Sequence, residues 1–382
     1  MRIAFLVERP TQFEAPFFRF AAADAEHQLN VFFTAGAPAE RVWDPELSRE
    51  VDWGLDLVGG YESAVVPASG AGAWLVERLE QGRFDLLIAN GYTRRPYLAG
   101  LLAGWRAGVP VGLRIDSVDF AGERLPRRLG KRLLFSLFLK PAYRLFFAVG
   151  SLTRQYLESY GVPAERIALF PYAVDVDAFA RGAREAAGGR SALRARWGLP
   201  ETGAVVLALA KMNGREAPWD LVEAAALLGS AAPAMVLAGD GPERPALEAF
   251  CRERGLDKVR FPGYVPYAEL PALYAAGDLF VHAAREERWG VSVQEAMACG
   301  LPVVASSGVG AGWDLIRPGD NGDRYQEGDA TALAGSLARG LGLPRERVLA
   351  ANREILARWD YAASWRGILR AAERLAGDRP YP

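Results

Sequence analysis

Short apolar runs alternate with longer amphipathic segments along almost the whole chain, and this alternation restricts the fold more than any other feature. The runs of the first half are Ile3–Val7, Leu29–Phe33, Asp85–Ala89, Val111–Ile115, Leu145–Val149 and Ile167–Phe170. Those of the second half are Ala204–Ala210, Ala234–Gly239, Val259–Pro262, Leu279–Ala283 and Pro302–Ser306. Strands buried on both faces of a parallel sheet are continuously apolar. We therefore predict doubly wound, mostly parallel α/β sheets, with helices such as Pro16–Glu26 and Pro96–Trp105 between the strands.

A chain of 382 residues exceeds what one hydrophobic core normally organises, so we expect two domains. The composition changes in the middle of the chain, where Arg181–Gly189 is rich in Ala, Gly, Arg and Glu. We interpret this stretch as a hinge that leads into a short helix, Ser191–Trp197. The two predicted domains are Rossmann-like units at residues 1–180 and 190–359. We expect a C-terminal amphipathic helix, at about residues 360–382, to pack back on the first domain.

Simple residue counts argue against several classes of protein. Lys and Arg total 45 while Asp and Glu total 46, so no nucleic-acid partner is expected. Two cysteines, Cys251 and Cys299, provide no disulfide framework and fit a reducing, cytoplasmic compartment. Only two histidines, His27 and His282, argue against a metal site or a Ser-His-Asp triad. Neither a signal peptide nor a membrane-spanning segment is expected, since no apolar run reaches about 18 residues.

The most informative stretch is Arg285–Gly300, which lies between two apolar runs. Gly290 begins a helix-compatible segment that ends at Gly300, where a glycine C-cap is expected. In open α/β sheets, ligands bind beyond the carboxyl ends of the strands. The first-turn amides of this helix, those of Gly290, Val291 and Ser292, would be unpaired donors there. Such donors favour an anion such as a diphosphate.

Two glutamates flank this helix start, Glu287 in the loop and Glu295 about one turn inside the helix. Carboxylates do not bind phosphate, but they accept hydrogen bonds from hydroxyls, each contributing about 1.5–3 kcal/mol when charge-assisted. A diphosphate between two polyhydroxylated groups matches this layout, and a sugar nucleotide is such a molecule. The alternative is that the acids only stabilise the helix N-terminus, which requires no ligand.

A longer pattern surrounds the two glutamates. It consists of Glu287, Trp289-Gly290, Glu295-Ala296-Met297-Ala298, Gly300 and Pro302-Val303, with Ala238-Gly239-Asp240-Gly241-Pro242 and Phe261-Pro262-Gly263 upstream. The pattern resembles the donor-site signature of the retaining GT-B glycosyltransferases of family four, most strongly over residues 204–335. The resemblance implies a GT-B fold, in which two Rossmann-like domains with parallel sheets face each other across a cleft. It also implies a nucleotide-sugar donor and no requirement for a metal.

The resemblance also implies roles for single residues. By that resemblance, Glu287 faces the transferred sugar and Glu295 faces the nucleotide ribose. The other residues expected to bind the donor in this domain are Trp289, Gly290, Val291, Ser292, Gly239 and Gly241.

Lys211 and Arg215 follow the apolar run Ala204–Ala210. Basic side chains at a strand end can stabilise a leaving diphosphate. Similar enzymes usually carry an Arg or Lys here and a Lys four or five residues later. This chain has Arg215 and then Glu216, so either Arg215 takes the second role or the site departs from the family pattern. The alternative is a solvated loop of mixed charge.

The N-terminal half gives weaker signals. Thr11 and Gln12 follow the first strand, where similar enzymes have a Gly-rich turn, and we place them in the donor site. Asp116 follows the fourth apolar run and is a candidate for contact with an acceptor hydroxyl, although a turn or cap role is an equal alternative. Asn90 is a further strand-end candidate for the acceptor. His282 is interpreted as a structural histidine.

Residues 124–144 contain seven arginines and lysines and no acid, interleaved with leucine and phenylalanine. A basic amphipathic helix can lie on an anionic membrane, here as a peripheral contact at the inner face. The interpretation that the sequence favours is different. It is a solvated helix whose apolar side packs on its own domain.

Together these inferences favour a retaining glycosyltransferase that moves a sugar from a nucleotide-diphosphate sugar to an acceptor hydroxyl. The acceptor is not identified and is a sugar, a lipid-linked molecule or a small molecule. No cofactor and no metal are expected. The predicted catalytic residues are Glu287, Lys211, Arg215 and Asp116. Two alternatives stay open: a non-catalytic nucleotide-sugar-binding subunit, and a sugar-nucleotide epimerase or phosphorylase with the GT-B fold.

Overall fold

The computed structural model describes residues 1–35, 41–44, 49–52, 56–120, 122 and 124–377. The chain divides into two compact units. The first comprises Met1–Glu40, Leu55–Val174 and Trp359–Pro382, and the second comprises Arg41–Gly54 and Asp175–Arg358. Each unit is built around one parallel sheet, so the α/β class with two Rossmann-like units, predicted from the sequence, is confirmed.

Strands and helices alternate in both units. The strands are β1 (Arg2–Val7), β2 (Gln28–Phe33), β3 (Arg41–Asp44), β4 (Arg49–Asp52), β5 (Glu62–Val65), β6 (Leu86–Ala89), β7 (Val111–Ile115), β8 (Leu145–Ala148), β9 (Ile167–Leu169), β10 (Val205–Leu209), β11 (Ala234–Ala238), β12 (Val259–Gly263), β13 (Leu279–His282), β14 (Val303–Ser306) and β15 (Gly322–Tyr325). The helices are α1 (Glu14–Ala22), α2 (Ala71–Gly82), α3 (Arg95–Arg106), α4 (Leu125–Leu134), α5 (Lys140–Ala142), α6 (Ser151–Ser159), α7 (Val176–Ala187), α8 (Arg190–Arg196), α9 (Pro218–Leu228), α10 (Arg244–Glu253), α11 (Leu270–Ala276), α12 (Val291–Ala298), α13 (Gly310–Leu315), α14 (Ala330–Leu341), α15 (Arg345–Leu356) and α16 (Tyr361–Gly377). A π-helical segment, Phe135–Leu139, joins α4 to α5.

The first sheet has seven parallel strands in the order β5-β2-β1-β6-β7-β8-β9. Its central strands are almost entirely buried, which is why they are continuously apolar in the sequence. Ile3 of β1 pairs with Leu29 on one side and with Leu86 on the other. The strand order reverses between β1 and β6, and the loops after such strands form the usual ligand site of an open α/β sheet.

The C-terminal helix α16 packs on the first unit. Its Trp365 indole nitrogen donates a hydrogen bond to the Asp24 carboxylate at 2.8 Å. The rings of Tyr361 and Trp365 lie 5.9 and 6.5 Å from the ring of Phe17 in α1. Aromatic packing and one hydrogen bond therefore return the end of the chain to the sheet where the chain begins.

The second sheet has six parallel strands in the order β12-β11-β10-β13-β14-β15. Strand order reverses between β10 and β13, which pair through Val206 with Leu279 and Ala208 with Val281. The loops that follow these two strands therefore leave the sheet side by side, at the place where ligands bind to this type of sheet.

The hinge expected at Arg181–Gly189 is wrong, because most of this stretch belongs to helix α7. The Asp175 carboxylate caps the helix by accepting the backbone N–H of Ala178 at 2.8 Å. Phe179 and Ala183, four residues apart, are buried on one helical face. The helix therefore forms because Asp175 caps it and its apolar face is buried, despite the glycines at the end of the segment.

Helix α4 exposes the apolar side that the sequence favoured as packing on its own domain. Leu125, Leu129 and Leu133 are each more than half exposed, and α4 has no buried residue. That packing prediction is therefore wrong for these three positions, but it is confirmed for Leu134, Phe135 and Leu139, which pack on the core of the first unit. Within the described part of the chain, no helix combines the length and the apolar character needed to cross a membrane.

Candidate active site

The loops after β10 and β13 are joined by a backbone hydrogen bond from the N–H of Arg285 to the carbonyl oxygen of Arg215, at 2.9 Å. The second of these loops also contacts the turn after β14. The N–H of Glu287 donates to the carbonyl oxygen of Gly308 at 2.9 Å, and the N–H of Gly310 donates to that of Glu287 at 2.8 Å. The position of Glu287 is therefore fixed by its own backbone.

Gly308 and Gly310 make this close approach possible. A Cβ atom at Gly308 would overlap the backbone of Arg285, and one at Gly310 would overlap the backbone of Arg288. The two glycines form a Gly-x-Gly sequence with Val309 between them. The structure shows that it allows the loop carrying Glu287 to lie against the neighbouring strand end.

The carboxylate of Glu287 lies against a guanidinium group. Arg215 Nη1 is 3.1 Å from Glu287 Oε2, and Arg215 Nη2 is 2.7 Å from Glu216 Oε1. The backbone N–H of Trp289 donates to the other oxygen of Glu287 at 3.3 Å. The structure thus brings three predicted site residues, Glu287, Arg215 and Trp289, into direct contact, with Arg215 bridging two carboxylates.

Glu216 lies five residues after Lys211, at one of the two positions where the family resemblance leads us to expect a lysine. Its side chain is buried, and burial raises the pKa of the carboxyl group, against the charges of His282 and Arg215. The turn before it is held by Asn213, whose Oδ1 accepts the N–H groups of Arg215 and Glu216 at 3.1 Å each. Ala217 follows at φ 48°, a left-handed conformation that costs about 1–2 kcal/mol in a non-glycine residue. Such strain often accompanies functional loops.

Helix α12 begins at the same place. Gly290 precedes it at φ 98°, and a Cβ atom there would lie 3.1 Å from Val309 and 3.3 Å from His282 Nε2. Within the described chain, no side chain caps this helix by a hydrogen bond. The first-turn amides, including those of Val291 and Ser292, are therefore placed to donate to an anion.

His282, at the end of β13, differs from an ordinary structural histidine. Its Nδ1 is 3.3 Å from the hydroxyl of Ser292, but its buried Nε2 has no hydrogen-bond partner among the described residues. Buried polar atoms normally have a partner, so an unpaired ring nitrogen beside the start of α12 is consistent with a ligand contact.

Glu295 lies inside α12 and is 4 % exposed. The Tyr274 hydroxyl donates to its Oε2 at 2.9 Å. Burial raises the pKa of the Glu295 carboxyl group from 4.5 to about 7, and the Tyr274 hydrogen bond opposes that rise. Next to it, Gln294 accepts a hydrogen bond from the indole nitrogen of Trp289 at 3.0 Å, which fixes the ring of Trp289 below the helix start.

The predicted glycines after β11 lie against the loop that carries Lys211. The N–H of Met212 donates to the carbonyl oxygen of Asp240 at 2.9 Å. A Cβ atom on Gly241 would be 2.6 Å from the carbonyl oxygen of Met212, and one on Gly239 would overlap the preceding turn of that loop. Lys211, Gly239 and Gly241 are therefore neighbours at adjacent strand ends of the second sheet.

The remaining predicted residues belong to the first unit. Thr11 Oγ1 accepts the N–H of Glu14 at 3.2 Å, at the start of α1, and Gln12 follows it in the same turn. The Tyr172 hydroxyl is 3.5 Å from the Asp116 carboxylate, at the outer limit of a hydrogen bond. Thr11, Gln12 and Asp116 thus follow strands of the first sheet, while the other candidates surround strand ends of the second.

A buried polar cluster in the first unit was missed by sequence reasoning. Glu14 Oε1 accepts hydrogen bonds from Arg114 Nη1 and Asn90 Nδ2, each at 2.9 Å. The guanidinium of Arg114 lies 3.7 Å from the ring centre of Phe170 and 4.2 Å from that of Tyr172. The signal available in the sequence was an arginine inside the apolar run that became β7, since buried charges are rare unless they are paired.

Solved structures share this fold over the full chain. A glycosyltransferase from Rickettsia africae superimposes with a TM-score of 0.77 at 16% identity, covering 99% of each chain. The Anabaena protein HepE, solved in complex with UDP, has a TM-score of 0.73 at 20% identity and covers 99% of this chain and 100% of its own. These similarities and the two parallel sheets define a protein of the GT-B class, as the sequence predicted.

Two family models match consecutive parts of the chain. Residues 21–173 match the glycosyl transferase 4-like domain, and residues 189–354 match the glycosyl transferases group 1. Both models describe glycosyltransferase domains, and together they cover most of the chain, whose second half is thus similar to the group 1 glycosyltransferases.

Curated relatives carry glycosyltransferase names. A D-inositol 3-phosphate glycosyltransferase of Thermomonospora curvata is 33% identical over 286 residues, which are 70% of this chain and 66% of the relative. A 2-deoxystreptamine glucosyltransferase of Streptomyces kanamyceticus is 34% identical over 171 residues, 43% of this chain and 44% of the relative. The alignments therefore span slightly less than two thirds, or less than half, of these relatives.

Proposed function

We propose that this protein transfers a sugar from a nucleoside-diphosphate sugar to an acceptor hydroxyl, with retention of anomeric configuration. The observation that carries the proposal is the arrangement at the reversal point of the second sheet. There, an uncapped helix start lies between the Arg215–Glu287 pair and the buried carboxyl of Glu295. The names of the curated relatives support the same activity.

Each part of this arrangement suits one part of such a donor. The amides at the start of α12 and the charges of Lys211 and Arg215 match a diphosphate. In this proposal, Glu287, beside them, accepts hydrogen bonds from the transferred sugar. Glu295 accepts them from the ribose, because a buried carboxylate makes strong hydrogen bonds to hydroxyls. In this proposal, Trp289 and the glycines after β11 shape the walls of the donor site.

The proposed step is a front-face displacement. The acceptor oxygen forms a bond to the anomeric carbon as the bond from that carbon to the diphosphate oxygen breaks, and the hydroxyl proton passes to the leaving diphosphate. Lys211, Arg215 and the α12 amides stabilise the charge that develops on the diphosphate. Those groups supply the positive charge that the step requires, so we propose that it proceeds without a metal.

Arg215 takes the second basic role in this proposal. Its guanidinium contacts Glu287 directly, whereas Glu216, which follows it, is buried and acidic. We propose that Glu216 is a positioning residue, because its contact with Arg215 Nη2 leaves Nη1 directed at Glu287. Glu216→Gln should then lower turnover less than Arg215→Ala does, and should change its pH profile.

A test begins with the donor. UDP is the first nucleotide to titrate, because the Anabaena structure contains it, followed by GDP, ADP and dTDP. Acceptors to pair with the UDP-sugars include inositol phosphate and 2-deoxystreptamine, on the basis of the relatives' names. The assay measures nucleotide release with and without acceptor, in the presence and absence of EDTA. The anomeric configuration of the product is read by NMR.

Acceptor-dependent release of nucleotide that EDTA does not diminish is the expected result. A product with inverted anomeric configuration would contradict the retaining mechanism but would still be consistent with glycosyl transfer. Loss of activity in EDTA, restored by a divalent cation, would contradict the metal-free step.

A non-catalytic nucleotide-sugar-binding subunit is the second candidate, favoured by the acidic Glu216 at the usual lysine position. It predicts tight nucleotide binding with no turnover for any donor and acceptor tested. Nucleotide release that depends on Glu287 would exclude it.

A further inference from the structure

One surface of the first unit exposes large apolar side chains in a row. Leu125, Leu129 and Leu133 of α4, with Leu137 and Phe138 of the π-helical segment after it, are between 52 and 68 % exposed. The leucines are spaced by four residues. Side chains with that spacing lie on one helical face, so they form a continuous stripe.

Helix α3 carries a second row of exposed apolar side chains. Leu98, Leu102 and Trp105 of α3 are between 45 and 56 % exposed and have the four- and three-residue spacing of a single helical face. The indole nitrogen of Trp105 donates to the carbonyl oxygen of Ala142 at 3.1 Å, which joins α3 to α5, directly after the stripe. The two rows together are called the apolar surface below.

The charge around the first row has one sign, whereas Leu102 of the second row lines a hollow together with Glu77 and Glu80 of α2. Residues 124–144 contain Arg124, Arg127, Arg128, Lys131, Arg132, Lys140 and Arg144 and no acid. Helix α3 has an arginine at each end, Arg95 and Arg106, and likewise contains no acid. Exposed apolar patches of this extent mark interaction sites, and their basic surroundings select a partner that is both apolar and anionic.

We propose that the apolar surface docks the protein on an anionic lipid membrane. The leucines and Phe138 enter the boundary between head groups and acyl chains, and the arginines contact lipid phosphates. Trp105, amphipathic and half-exposed, suits the same depth. A second copy of the chain is a poorer occupant, because it would bring two sets of arginines together. The proposal does not depend on glycosyl transfer.

The test is co-sedimentation of the full chain with vesicles of phosphatidylcholine alone and with added phosphatidylglycerol. Binding is expected only to the anionic vesicles and should weaken as salt rises. Arg128→Gln/Arg132→Gln should lower the partition coefficient about 25-fold, since each basic residue contributes roughly a fivefold factor. Leu133→Ser/Leu137→Ser should lower it at least about tenfold, because insertion loses two apolar side chains.

Matched controls carry the same changes elsewhere. Arg184→Gln/Arg252→Gln removes two exposed arginines of the second unit, and Leu227→Ser removes an exposed leucine of α9. Both should bind vesicles like the wild type, and circular dichroism checks that every variant is folded.

Three outcomes would overturn the proposal. They are equal binding to neutral and anionic vesicles, vesicle binding that the four substitutions in residues 128–137 leave unchanged, and no vesicle binding. If lipid-free sedimentation shows self-association that Leu133→Ser/Leu137→Ser abolishes, a second copy is the occupant instead. Nucleotide titration of the same variants should match the wild type, so a failure here is distinguishable from a failure of the proposed transferase activity.

Discussion

The buried carboxyl group of Glu295 should make the stability of the second unit depend on pH, and Glu295→Gln should remove that dependence. Burial raises its pKa from 4.5 to about 7, although Tyr274 donates a hydrogen bond to it at 2.9 Å. One pKa unit corresponds to about 1.4 kcal/mol, so the folded unit favours the neutral carboxyl by about 3 kcal/mol.

The sign follows from which state releases the proton first. Below pH 4.5 the carboxyl is protonated in both the folded and the unfolded chain, and it brings no penalty. As the pH rises from 4.5 to about 7, the unfolded chain ionises first, so the free energy of unfolding falls. Above pH 7 the full penalty of about 3 kcal/mol is present. Glutamine keeps the shape, and its amide oxygen still accepts from Tyr274.

The measurement is urea-induced unfolding of the wild type and of Glu295→Gln across this pH range, followed by circular dichroism. The two proteins should be equally stable at acidic pH, and the variant should be the more stable by up to about 3 kcal/mol above pH 7. Glu223→Gln, at an exposed position of α9, is the control and should show no such divergence.

The same substitution should weaken nucleotide binding. A charge-assisted hydrogen bond contributes about 1 kcal/mol or more beyond a neutral one, so the affinity for the correct nucleotide should fall by about fivefold to 30-fold above pH 7. Wild-type affinity should rise with pH through about 7, and that of the variant should not. A stability difference that is the same at every pH, or a variant that binds as tightly as the wild type, would refute the reasoning.

Three further predictions concern the neighbouring groups. Glu287→Gln should lower turnover by about 100-fold while leaving affinity for the bare nucleotide nearly unchanged. Arg215→Ala should lower both turnover and nucleotide affinity, and Arg215→Lys should recover part of both. Steady-state kinetics measures the turnover and calorimetry measures the affinity. Gly290→Ala should destabilise the protein by about 1–2 kcal/mol, since alanine is strained at φ 98°, and equal urea midpoints would contradict this. Glu14→Ala should cost about 3–5 kcal/mol, because it leaves buried Arg114 without its carboxylate, and Glu14→Gln should recover part of that loss.

Strands were predictable where burial is complete. The apolar runs that became β1, β7, β10 and β13 match the observed strands to within a residue or two, because helices cover both faces of the central strands. The strands β5 and β15 were missed. They lie at the edges of their sheets, where polar side chains such as Glu62 and Asp323 are tolerated and the apolar run is lost.

The start of α12 could be predicted from the sequence because its signals are local. Gly290 marks a backbone turn, and the eight residues after it have helical propensity and end before a glycine. The buried cluster of Glu14, Asn90 and Arg114 had no comparable signature. Its members come from three separate strand ends or helices, and the sequence separations of its hydrogen bonds are 76 and 100 residues.

The sequence by itself determined where strands and helices alternate, and it placed a helix start between two acids, because periodicity, glycine turns and caps act over a few neighbouring residues. Only the tertiary structure decided what those acids contact. Arg215 and Glu287 are 72 positions apart, and they meet because the sheet reverses its strand order between β10 and β13. Likewise, the sequence alone shows that α4 is an amphipathic helix, but only the tertiary structure shows that its leucines face solvent. Contacts between distant segments depend on the order of strands in a sheet, which no local pattern encodes.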